Sequence, residues 1–220
     1  MIPDILRKDV ICIDTETAVL GDHVCEVGIS LFKNAELVHE WSTLVKPIVP
    51  LDPKSSEIHK IYEKDLVDAP SFSDIAFVVY NYLLSADVVV AYNYEYDRIV
   101  LGNEFQRVGW SWPAKPMIDP MVLFKQYHKF NKGKTLIKAA EKYGVKYIGA
   151  HRACNDATVT GKILFKMAAT RPDFPKNIQD MIRKQRQWLE AQHLDFSSYL
   201  IGKGKEPPNP PQYQLFEINM

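Results

Sequence analysis

The stretch Val10-Ile11-Cys12-Ile13-Asp14-Thr15-Glu16-Thr17 decides how this chain is read. Residues 10–13 are a continuous apolar run, as expected of a strand buried on both faces. Asp14 and Glu16 follow at its end, two apart, so their side chains point to the same side of the strand. Two carboxylates at the mouth of a buried strand are costly unless a cation or partner neutralises them. Taken alone, Asp-x-Glu is a common pattern, and capping of a strand end would account for it.

Working outward, residues 24–32 and 36–45 are rich in β-formers and flank Lys33-Asn34-Ala35, a plausible hairpin turn, so a three-stranded meander opens the domain. Pro47, Pro50 and Pro53 mark a loop. A helix is expected over 71–84, with Ile75, Val78, Val79, Tyr82 and Leu83 as its apolar stripe and Ser71 or Ser73 as its cap. Residues 87–91 read as a short strand, 94–108 as a helix stopped by Gly109, and 116–119 as another short strand. Pro120 suits the first turn of the next helix. Two more helices are expected over 135–143, ended by Gly144, and over 153–169. Hairpins followed by strand–helix crossovers imply an α/β fold, a mixed central sheet flanked by helices.

After Arg171-Pro172, Phe174, Ile178, Met181, Ile182, Trp188 and Leu189 fall at helical spacing and predict one amphipathic helix packed on the domain. Residues 202–211 form a polar, proline-rich linker, and an apolar segment, 213–218, follows. The expected organisation is a domain over 1–170, the helix over 171–200 and a flexible tail over 201–220.

Two further motifs carry acids. Asn93 and Asp97 lie four apart at a helix start, behind the apolar strand Val88-Val89-Val90-Ala91. Asp97 alone would pass for a first-turn acid favoured by the helix dipole. His151 and Asp156 are five apart, which fits a loop histidine followed by an acid in the first helical turn. A histidine near neutral pKa suits a general base for water. Surface or capping roles are expected for His23, His39, His59, His128 and His193, which have no comparable partners. Four carboxylates and one histidine, delivered from three distant segments, are what two-metal phosphodiester cleavage requires.

Composition sets the frame. With 220 residues, 46% hydrophobic and 25% charged, the chain resembles an ordinary globular protein, and no apolar run approaches a membrane span. The first residues lack the basic start and apolar core of a signal peptide, and the three cysteines have no metal-type spacing. A cytoplasmic location with reduced thiols is expected, and no membrane partner. Net charge is zero, yet Lys125, Lys129, Lys132, Lys134, Lys138, Lys142, Lys146 and Arg152 face only Glu141 in their stretch. That excess could form a solvated helical face or meet a phosphate backbone.

In order, Asp-x-Glu, Asn-x-x-x-Asp and His-x-x-x-x-Asp resemble the three motifs of the DEDD exonuclease superfamily, in its histidine-bearing (DEDDh) subgroup. That subgroup includes the proofreading epsilon subunit of bacterial DNA polymerase III, oligoribonuclease and RNase T. The resemblance covers residues 10–169. Ile58-His59-Lys60-Ile61 is similar to the family's Ile-His-Gly-Ile, and Asp68-Ala69-Pro70-Ser71-Phe72 to its Asp-Ala-Pro-x-Phe. The resemblance implies an RNase H-like fold and two divalent cations, Mg2+ or Mn2+, roughly 3.5–4 Å apart. By matching positions, Asp14, Glu16 and Asp156 would hold the metal carrying the nucleophilic water, Asp14 and Asp97 would hold the second, and His151 would deprotonate the water. Thr15, Thr17, Leu20 and Asn93 would border the terminal nucleotide. Departures are Ala18-Val19 where the family has Thr-Gly, Lys60 for the glycine, and Tyr92 where histidine is common.

In the tail, Gln212-Tyr213-Gln214-Leu215-Phe216 resembles the pentapeptide by which bacterial replication and repair proteins dock on the sliding clamp, with Tyr213 replacing the usual leucine. Gln212, Leu215 and Phe216 would make those contacts. The implied function is a 3′–5′ exonuclease releasing nucleoside monophosphates from single-stranded 3′ ends of DNA, in replication proofreading or repair, with a sliding clamp or polymerase as partner. The alternatives are an RNA-trimming exonuclease of the oligoribonuclease or RNase T kind, and a catalytically silent nucleic-acid-binding module.

Overall fold

In the computed structural model, which describes residues 2–130 and 132–211, the N-terminal third is a meander. β1 (Asp9–Val19), β2 (Asp22–Lys33) and β3 (Glu36–Leu44) pair antiparallel, and β4 (Val88–Val90) and β5 (Met117–Ile118) add on parallel. The sheet order is β3-β2-β1-β4-β5, the mixed sheet expected from the sequence. Around it lie α1 (Pro53–His59), α2 (Phe72–Ser85), α3 (Tyr94–Arg107), α4 (Pro120–Tyr127), α5 (Leu136–Tyr143), α6 (Ala153–Thr170) and α7 (Ile178–Ile201). None of the described helices is long and apolar enough to cross a membrane.

β1 runs well past its apolar start, which corrects the expectation that Asp14 and Glu16 end the strand. Pairing with β4 covers Val10–Cys12, whereas pairing with β2 continues to Val19. The two carboxylates therefore stand where β1 has outrun its parallel neighbour. The pleat then sorts the strand: Thr15 and Thr17 bond to α3, and the alternate residues face α6. At Gly28, opposite Asp14, a β-carbon would fall 2.1 Å from the Ala153 carbonyl carbon. Only glycine lets the start of α6 press this closely on β2.

Three local expectations need correction. The proline-marked loop contains α1, because the Asp52 carboxylate accepts the Lys54 N–H at 2.8 Å and Pro53 suits the first helical position. Phe174 is buried but lies before α7, which starts at Ile178 behind its Asn177 cap. His59 is no surface histidine: it is 2% exposed, and its Nδ1 accepts the Ile61 N–H at 3.0 Å. His128 is half-buried and bonds the Tyr143 hydroxyl at 2.8 Å. The core packs Ile11, Ile13, Val27 and Ile29 with Val100, Leu101, Ile163 and Leu164, and α7 adds Ile178, Met181 and Ile182.

Candidate active site

Asp14, Glu16, Asp97, Asp156 and His151 converge on the part of β1 beyond β4. α6 brings Asp156 in its first turn. The Asp156 carboxylate accepts the Tyr147 hydroxyl at 2.7 Å and the His151 backbone N–H at 3.3 Å. His151 is exposed, with φ 64°, a left-handed conformation uncommon outside glycine. One donor atom from each of Glu16, His151 and Asp156 lies within 4.8 Å of the others. Asp97, 3% exposed on α3, accepts the Thr15 hydroxyl at 2.8 Å.

These acids raise one another's affinity for protons. Burial pushes Asp14 well above the carboxylate range, and Asp97, Asp156, Glu16 and Glu26 add to it. Glu16 is pushed up to about 8 by burial and then by Asp156, Glu26 and Asp97, against a small pull from Arg152. Asp97 rises to about 7 through burial, opposed by the Thr15 hydroxyl. Burial also raises Asp156, opposed by the Tyr147 hydroxyl and the His151 N–H. Arg152, the last cation of the basic run, bonds Glu26 at 2.7 and 3.1 Å while its side chain stays largely exposed. A carboxylate-rich cluster with one imidazole and little positive charge fits a divalent cation, whose hard charge oxygen donors satisfy.

The exonuclease family of the RNase T type matches residues 11–164. The chain belongs to this exonuclease family. It is 26% identical over 203 residues to the 3′-5′ exonuclease DinG of Staphylococcus epidermidis, which covers 89% of this chain but 22% of DinG. The chain thus spans about a fifth of the length of this curated relative. Among solved structures, Exonuclease X in complex with 5′ overhanging duplex DNA superposes with TM-score 0.65 at 22% identity, covering 80% of this chain and 99% of that one. The nuclease domain of 3'hExo, a DEDDh family member bound to rAMP, gives 0.64 at 17% identity, covering 74% and 92%. The RNase H-like exonuclease fold is therefore the observed one.

Other expected residues of the exonuclease site take distinct places. Thr15 and Thr17 are buried with hydroxyls turned inward, Thr17 meeting the Tyr96 hydroxyl at 2.8 Å. Leu20 is 88% exposed at the β1–β2 turn. Asn93 precedes α3 with φ 67°, so it stands just off the helix that carries Asp97. Gln212, Leu215 and Phe216 lie outside the described residues.

Three residues escaped the sequence reading. Glu26, 1% exposed, accepts the Ala153 N–H at 3.1 Å as well as Arg152, and so anchors the start of α6. Asp119 accepts the Asn93 and Tyr94 N–H groups at 3.0 and 3.1 Å, holding the start of α3. Tyr147 orients Asp156. An acid inside Val24-Cys25-Glu26-Val27 was the available signal for the first, and Asp119-Pro120, a cap before a first-turn proline, for the second.

Proposed function

We propose that this chain is a 3′–5′ exonuclease that releases nucleoside monophosphates from single-stranded 3′ ends of DNA, with two divalent cations, Mg2+ or Mn2+. The observation that carries this is the meeting of Asp14, Glu16, Asp97, Asp156 and His151, from three distant segments, beyond the end of β4. Family membership, the likeness to DinG and the fold shared with Exonuclease X support it. DNA is favoured over RNA because the tail peptide resembles a clamp ligand. On the same ground we assign a replication or repair role and clamp contacts through Gln212, Leu215 and Phe216.

Asp14, Glu16 and Asp156 would hold one cation and Asp14 with Asp97 the other. Bound there, the cations supply Lewis-acid polarisation of the scissile phosphate and lower the pKa of the attacking water. His151 takes the proton of that water at a ring nitrogen and, being exposed, can pass it to solvent. Tyr147 and the His151 N–H fix the direction of the Asp156 carboxylate, and Thr15 fixes that of Asp97. Leu20 offers an apolar surface to the terminal base, and Asn93 a polar contact beside it.

The test is a 5′-labelled single-stranded DNA and the identical RNA, with magnesium and then with EDTA. The expected result is a magnesium-dependent ladder shortening from the 3′ end, faster on DNA and slowed at least about 10²-fold by Asp156→Ala. A ladder on RNA alone overturns the substrate assignment. Binding without any ladder overturns the enzyme.

A further inference from the structure

A groove of about 610 Å³ lies between α4 and the distal half of α7, apart from the carboxylate cluster. Lys125, Lys129 and Lys134 line it together with His193 and Phe196, against one carboxylate, Asp195. Among the described residues Lys125 and Lys129 enter no ion pair, while Lys138, from the same basic run, is taken by Glu141 at 2.8 Å. The Lys134 ammonium is held in place, bonded to the His128 carbonyl and 5.6 Å above the Phe124 ring. Phe196 is 53% exposed, a free aromatic face on the α7 side.

The groove is joined to the catalytic corner by the backbone. The Tyr92 hydroxyl donates to the Lys134 carbonyl at 2.7 Å, and the next residue, Asn93, is tied to Asp119, the cap of α4. The basic wall and the start of α3 are thus held to the same loop. Burial and the neighbouring Lys125 keep Lys134 below the usual lysine range, as expected where ammonium groups crowd without an anion.

We infer that this groove is the track for the strand upstream of the terminal nucleotide, lysines on its phosphates and Phe196 with His193 against its bases. The inference rests on the exonuclease reading. Its occupant is a single-stranded nucleic acid backbone, argued from three cations facing one carboxylate beside aromatic faces, the combination that binds single strands without reading sequence.

The experiment compares the whole chain with Lys125→Gln/Lys129→Gln and Lys125→Arg/Lys129→Arg. Anisotropy with a labelled 12-nucleotide DNA in EDTA reads binding, and hydrolysis of a trinucleotide with magnesium reads the catalytic corner. The glutamine pair should weaken 12-mer binding about 10–30-fold near 0.1 M salt and reduce the salt slope by about 1.4, since each phosphate contact on a single strand contributes about 0.7. Trinucleotide hydrolysis should stay at the parental rate, and the arginine pair should restore the slope. Unchanged 12-mer affinity overturns the inference and gives the groove to another occupant, such as a protein partner or residues 212–220. Equal losses on both probes also overturn it, as general damage. Failure of the parent chain to hydrolyse either DNA would instead count against the exonuclease reading, since the binding arm needs no turnover.

Discussion

At the scale of single residues, the carboxylates of β1 oppose their own ionisation. Glu16 is held up to about 8, Asp97 to about 7, and Asp14 well above the carboxylate range, each first by burial. A carboxyl whose folded value exceeds its unfolded one contributes stability below the unfolded value, near 4, and that contribution is lost as pH rises through the folded value. In EDTA the melting temperature should therefore fall between pH 5 and pH 8.5, by about 4–8 °C, equivalent to about 2 kcal/mol in a chain of this length. Magnesium should remove most of the fall, because a cation bound to the folded state replaces the protons as neutralising charge. His59 and His128, held below the usual imidazole range by burial, push the other way below about pH 6.5. The decisive comparison is then Asp14→Asn, which should flatten the EDTA profile and blunt the magnesium response. Thermal melts across pH with and without magnesium check this, and a variant that kept the parental slope would contradict it.

At the scale of elements, the site depends on how closely α6 meets β2. Gly28 admits the Ala153 backbone where a β-carbon would sit 2.1 Å away, and Glu26, two residues earlier on the strand, receives both Arg152 and the Ala153 N–H. Gly28→Ala must displace backbone, not a flexible side chain, so it should cost about 2–3 kcal/mol and lower the melting temperature by about 5–10 °C. Because α6 carries Asp156, hydrolysis at 20 °C should fall more than 10-fold in protein that remains folded, a loss that circular dichroism and the ladder assay separate. A variant that melts lower but cleaves at the parental rate would show that α6 can shift without moving Asp156. This contact also marks where the sequence stopped being legible. The meander, the Ser71 cap and the Gly144 stop follow from local pattern, since each acts within a few residues. The three acidic motifs were readable because their order and spacing are local as well. Glu26, Asp119 and Tyr147 were not, since each acts through a partner far along the chain or on another element, and nothing near Glu26 says that Arg152 will cover it. The extent of β1 was missed because its last residues are held by β2 and α3 and not by their own apolar pattern.

At the scale of the molecule, α7 reaches toward the carboxylate cluster through a buried side chain. Gln185 is fully buried; its Oε1 accepts the Asp119 N–H at 2.6 Å and its Nε2 donates to the Met117 carbonyl at 3.1 Å. Asp119 in turn holds the Asn93 and Tyr94 N–H groups, so a chain of hydrogen bonds runs from α7 through the end of β5 to the helix that carries Asp97. Gln185→Leu keeps the volume but leaves two buried backbone groups unpaired, at about 1–3 kcal/mol each, and should lower the melting temperature by about 6–12 °C. If the bonds only hold α7 in place, kcat at 20 °C will be unchanged. If they also set the start of α3, kcat should fall about tenfold with little change in KM, because Asp97 is proposed to act at the reacting phosphate and not on the upstream strand. Gln192→Leu is the control: its bond to the Val122 carbonyl, at 3.0 Å, anchors α7 to α4 without touching Asp119. It should cost about 1 kcal/mol and leave kcat alone. A tenfold loss in Gln185→Leu beside an unaffected Gln192→Leu would make α7 part of the catalytic body and not an appendage to it. A melting temperature within 2 °C of the parent would mean that water replaces the lost bonds and that the link from α7 to Asp97 carries little.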